Sequence, residues 1–115
     1  MAEGVDLWCG EIVMELKDRY EPSLELIAVV PYLAQAEHMS EKNKERYGRL
    51  MSFASQRYLV SRQYTKACFQ KRNAFLVDSS DAVIAVLSEN EPRSGTAQTV
   101  RYAQKKDKKI FLLRP

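Results

Sequence analysis

The chain has 115 residues, 45% of them apolar, and a formal net charge of +3. That size fits one small domain with a modest core, and that apolar content excludes a disordered chain. No apolar run approaches the ~20 residues that cross a bilayer, and the first residues lack the basic-then-apolar pattern of a secretory signal, so no membrane partner and a cytoplasmic location are expected.

Val5, Trp8, Cys9, Ile12, Val13 and Leu16 recur at helical spacing. They predict a helix from Val5 to Arg19 with this stripe inward, ending before Glu21-Pro22 because a residue preceding proline avoids the helical region. The near-continuous apolar run Leu24 to Val30 is a strand of the kind covered on both faces, ended by Pro31. Pro31 to Met39 is a loop carrying His38, the sole histidine. Ser40 is the N-cap of a second helix, whose apolar face is Tyr47, Leu50, Met51 and Ala54. A short strand, Tyr58 to Val60, and a helix, Ala67 to Val77, follow, and the turn Asp78-Ser79-Ser80-Asp81 leads into the apolar run Ala82 to Leu87. After a polar loop with Pro92, Arg93, Ser94 and Gly95 come a helix, Thr96 to Lys106, and a last apolar run, Ile110 to Leu113. Two short apolar runs joined by a helical crossover form a βαβ unit. The strict alternation of helix and strand predicts one α/β domain with a mainly parallel sheet of about four strands.

Three places could carry chemistry. At Ser94-Gly95-Thr96, a hydroxyl caps the helix, a glycine lets a ligand approach the backbone, and the free N–H groups of the first helical turn favour an anion such as phosphate. An ordinary N-cap beside a turn glycine explains the same residues. The spacing is neither that of a Walker loop nor that of a G-x-G-x-x-G fingerprint. Arg72-Asn73 could grip a phosphate or carboxylate and read a polar edge, or could pair locally. Gly4 and Asp6, with Glu11, could face a ribose or base, or could simply place acids at a helix N-terminus.

Other classes are weaker. Cys9 and Cys68 read as reduced core or semi-core thiols, and with His38 they supply too few ligands for zinc. No cofactor or metal is expected. A nucleophilic triad cannot be assembled around a single histidine. Lys105, Lys106, Lys108 and Lys109 read as a solvated helix end; no aromatic residues interleave with them, which makes nucleic acid an unlikely partner.

The runs CFQKRNAFLVDSSDAVIAVL, SGTAQTVRYAQKK and IFLL, together with GVDLWCGEIVMEL and LELIAVVPY, resemble the YpsA-like proteins of the SLOG superfamily, which also contains the LOG-type phosphoribohydrolases and DprA. The resemblance covers essentially the whole chain, with several motifs in the right order. It implies a Rossmann-like domain that binds a nucleotide or a phosphoribosyl-containing small molecule. By position, Gly4 and Asp6 match the family's glycine–aspartate element, Arg72 and Asn73 its R-N pair, and Gly95 and Thr96 the G-T that opens the phosphate-facing helix.

Two departures shape the expectation. LOG enzymes carry P-G-G-x-G-T-x-x-E with a catalytic glutamate; here Thr99 stands at that position and Arg93-Ser94 replaces the glycine-rich lead. Family members usually begin with a strand, a phosphate loop, a helix and a second strand ahead of the Gly4-Val5-Asp6 element, so this chain is expected to be N-terminally abbreviated, either as a natural short form or as a truncated piece of a longer protein. Its sheet edges are then expected to be covered by self-association into a homo-oligomer. The reading is a binding or sensor module of a bacterial or phage cytoplasm. The alternatives are a nucleoside-monophosphate N-glycosidase using Glu11 or Asp6, an oligomeric interaction module without a ligand, and a single-strand DNA binder.

Overall fold

The computed structural model describes residues 4–88 and 90–114. Four helices and four strands alternate in the described residues: α1 (Val5–Arg19), β1 (Ile27–Tyr32), α2 (Glu41–Phe53), β2 (Gln56–Ser61), α3 (Cys68–Asp78), β3 (Ala82–Val86), α4 (Gly95–Lys105) and β4 (Lys109–Leu113). A 3-10 turn, Gln35–His38, interrupts the loop between β1 and α2. The architecture is α/β with short parallel-strand sheets, consistent with a Rossmann-like layered fold. The strands pair two by two, β1 with β2 and β3 with β4, and both pairs are parallel. Contacts divide the chain into two compact units, one ending at Cys68 and the other beginning at Phe69.

In the first unit, α1 has the span expected from its periodicity, but a different face is buried. Leu7 and Gly10 lie inside, whereas Trp8 is 61% and Ile12 53% exposed. Val5 and Leu16 are also exposed, and so is Cys9, so only Cys68 is a core thiol. Periodicity establishes a helix; which face turns inward depends on what the helix meets. Here α1 packs against α2, and Glu11 reaches across to Arg46. Lys17 ties the helix end to the following loop, donating to the carbonyls of Pro22 at 2.9 Å and Leu24 at 2.6 Å.

The strand β1 starts later than its apolar run and continues through Pro31 to Tyr32. Ala28, Val29, Val30 and Pro31 are all buried, as expected for a strand covered on both faces. Pro31 is tolerated because β1 has a ladder partner on one side only among the described residues, and proline is excluded chiefly from strands paired on both sides. Ser40 caps α2 as expected, its Oγ accepting from the Asn43 N–H at 3.2 Å. Leu50 is the fully buried residue of that helix.

In the second unit, β3–α4–β4 is the expected βαβ crossover, with Ile84 opposite Phe111 and Ala85 opposite Leu112. Ala97, Val100 and Ala103 form the buried stripe of α4, which packs on β3 and β4. Exposure alternates along β3, with Ile84 70% exposed beside buried Ala85; in β4 the end is open on both faces, with Phe111, Leu112 and Leu113 all exposed. The helix α3 buries Arg72 and Val77, while Phe69 and Phe75, both candidates for its core face, lie partly open.

Candidate functional site

The start of α4 is built by Ser94. Its φ of −64° and ψ of 160° are extended, and its Oγ accepts from the Ala97 N–H at 3.1 Å. The Gln98 N–H is taken by the Ser94 carbonyl at 3.1 Å. Ser94, not Thr96, is therefore the cap. The amides of Gly95 and Thr96 are left at the helix mouth, with no acceptor among the described residues, and both residues are exposed. A Cβ added at Gly95 would meet nothing within 4 Å, and its φ is not left-handed. The glycine is therefore not required by the turn; it leaves space beside two free N–H groups. An anion placed there would meet those donors and the positive end of the helix dipole.

Arg72 and Asn73 sit on α3 of the same unit. Arg72 is only 6% exposed as a residue; its Nε donates to Asn73 Oδ1 at 2.7 Å, and its guanidinium carbon lies 5.9 Å from the Phe69 ring centre. The two residues are brought together with each other. Gln70 donates to Gln98 at 3.4 Å and Tyr102 to both Asp78 oxygens at 2.9 and 3.0 Å, so α3 and α4 are linked at two points along their lengths. Lys106 and Lys109 lie over the rings of Tyr102 and Phe111, and the lysines beside them, Lys105 and Lys108, are exposed and half-buried.

Gly4 and Asp6 belong to the other unit. Gly4 has φ 76° and ψ −119° and precedes the first turn of α1. Its positive φ explains the glycine without a ligand. Asp6 is exposed in that first turn, where a carboxylate suits the dipole.

Glu11, the other acid of that helix, is engaged. Arg46 holds it through Nε and Nη2, and this hydrogen bonding, partly opposed by desolvation, keeps its carboxyl below the ordinary range. A carboxylate so stabilised is a poor general base. Thr99, at the position of the LOG glutamate, turns its Oγ1 back to the Gly95 carbonyl at 2.9 Å. The Cys9 thiol is pushed up, first by partial desolvation and then by the Asp6 charge, so it is not an activated thiolate. Among the described residues, no cluster of histidine, cysteine or carboxylate side chains could hold a metal ion, and no helix is long and apolar enough to cross a membrane.

The family model described as the YspA SLOG family (YpsA) matches residues 2–115. The chain belongs to the YpsA family of SLOG proteins. This YpsA-family chain is also similar to UPF0398 proteins of Bacillus cereus (strain B4264) and Bacillus thuringiensis (strain Al Hakam), each 37% identical over 93 residues. Those matches cover 79% of this chain and 50% of each relative. The chain thus spans about half the length of the curated relatives it matches.

Sequence reasoning missed the Glu11–Arg46 pair. The acid was visible, but its partner lies 35 residues away on another helix, and no local pattern signals such a distance.

Proposed function

We propose that this YpsA-family chain binds a nucleotide or another phosphoribosyl-containing small molecule, with a phosphate seated at the start of α4. Family membership supports a nucleotide-related function at the level of the family. The observation that carries the reading is the pair of acceptor-less amides at Gly95 and Thr96, beside open space. In this reading Ser94 fixes the helix mouth, Gly95 and Thr96 donate to phosphate oxygens, and Arg72 supplies countercharge with Asn73 holding its guanidinium. A sugar or base contact by Asp6, with Gly4 shaping the turn before it, rests on the family resemblance alone. The engaged Glu11 and the threonine at position 99 favour binding over hydrolysis.

The same reading includes self-association in the cytoplasm. Each strand has one ladder partner among the described residues, and Ile84, Leu112 and Leu113 are exposed; open edges and apolar strand faces invite a second copy. Light scattering at high concentration checks this, and a strict monomer counts against it. Isothermal titration calorimetry with inorganic phosphate, ribose 5-phosphate and AMP tests the ligand. The expected result is saturable heat for the sugar phosphates; a flat titration with all three rejects the phosphate site.

A further inference from the structure

A cleft of about 460 Å³ opens between α1 and α2, a size typical of small-molecule sites. It lies in the unit that ends at Cys68 and uses none of the α4 residues, so it stands independently of the phosphate reading. Met14, Leu50 and Phe53 give it an apolar lining, and three carboxylates and two guanidinium groups surround that lining.

These charges are not equivalent. Glu11 and Arg46 neutralise each other through two hydrogen bonds, and Arg46 Nη1 also donates to Asn43 Oδ1 at 3.0 Å. That guanidinium is fixed and spent. Glu15 lies 3.5 Å from Arg19. Arg49 and Asp18 remain: among the described residues, neither side chain makes a hydrogen bond or ion pair, and both are exposed. Helical spacing places Phe53 one turn beyond Arg49, and Asp18 one turn beyond Met14. One cation and one anion that make no hydrogen bond or ion pair among the described residues therefore border an apolar lining, although the Arg49 charge also acts at a distance on Glu11.

That combination selects a ligand class. With Glu11 matched to Arg46 and Glu15 to Arg19, Arg49 and Asp18 balance each other, so the lining has no net positive charge to favour a phosphate. A single positive and a single negative group beside apolar surface complement a zwitterion with an apolar body. The geometry points to a second ligand site: the α1–α2 cleft takes a free α-amino acid with a large apolar side chain. Arg49 receives the carboxylate, Asp18 the ammonium group, and the side chain lies against the half-buried Met14 and Phe53. Both charged groups are open to water and salt, so the affinity is modest and falls with ionic strength.

The test is an amide ¹H–¹⁵N titration of the whole 115-residue chain with L-phenylalanine. Phenylacetate, phenethylamine and AMP serve as comparisons. L-phenylalanine is expected to shift α1 and α2 amides saturably, and to bind about tenfold more tightly than either singly charged analogue. Arg49→Gln and Asp18→Asn are each expected to weaken it about tenfold with the circular dichroism spectrum unchanged, because both positions are exposed. The proposal is overturned by any of three results: no saturable shift, equal binding of an analogue that lacks one charge, or unaltered binding by both variants. Shifts of the same amides by AMP, with none by L-phenylalanine, also overturn it. None of these outcomes bears on the α4 amides.

Discussion

Arg46 and Glu11, 35 residues apart, share two parallel hydrogen bonds: Nε donates to Oε2 at 3.0 Å and Nη2 to Oε1 at 2.5 Å. This bidentate geometry is the strong form of an ion pair, and it joins α1 to α2. It also makes the stability of the chain depend on pH in a defined direction. The hydrogen bonds from Arg46 lower the Glu11 pKa, desolvation opposes them, and the charges of Arg46 and Arg49 add to the lowering. A carboxyl whose folded pKa lies below its unfolded value stabilises the fold fully above the unfolded value. It loses that contribution as pH falls through the folded one. Glu11→Gln is therefore expected to melt a few degrees below the wild type at neutral pH, with the gap closing on acidification. Thermal melts across that pH range check this, and a gap that widens in acid contradicts it.

The cap at Ser94 gives a local prediction. Removing its hydroxyl frees the Ala97 N–H, so Ser94→Ala is expected to cost about 1 kcal/mol, and Ser40→Ala a similar amount at α2. Urea unfolding measures both. If Ser94→Ala is neutral while Ser40→Ala is not, the Ser94 hydroxyl does not hold the start of α4.

The end of α4 holds an unfavourable residue. Asp107 has φ 57°, while its own N–H reaches the Gln104 carbonyl and the Lys108 N–H reaches that of Ala103. That is a Schellman ending with aspartate where glycine is preferred. Asp107→Gly is expected to stabilise the chain by about 0.5–1 kcal/mol by removing left-handed strain. A lower unfolding midpoint for the variant would argue against this ending.

Leu50 is fully buried in the first unit. Leu50→Ala is expected to cost about 2–5 kcal/mol through lost burial and the cavity left behind. Denaturant unfolding reads this directly, and a loss under about 1 kcal/mol would mean that the site collapses around the smaller residue.

The element order was legible because it rests on local signals. The span of α1, the Ser40 cap and the β3–α4–β4 crossover each follow from spacing or a single capping residue. What was not legible depends on distant partners. The apolar stripe of α1 identified the helix but not its inward face, because Leu7 and Gly10, rather than Trp8 and Ile12, meet the rest of the unit. Pro31 reads as a stop, yet it lies within β1, whose open side spares it a ladder bond. At the candidate site, Ser94-Gly95-Thr96 was visible as a cap with a glycine. That Arg72 is buried and bonded to Asn73 was not visible, since sequence carries no depth.

In the proposed function the Gly95 and Thr96 amides hold a phosphate. Gly95→Asp tests it most directly. The new side chain enters open space, and a carboxylate in the first turn suits the helix dipole, so the fold is retained while the anion position becomes negative. Calorimetry with AMP and ribose 5-phosphate is expected to show saturable binding to the wild type and at least about tenfold weaker binding to the variant, with equal melting temperatures. Equal affinity in the two proteins, or no binding to the wild type, would contradict the account.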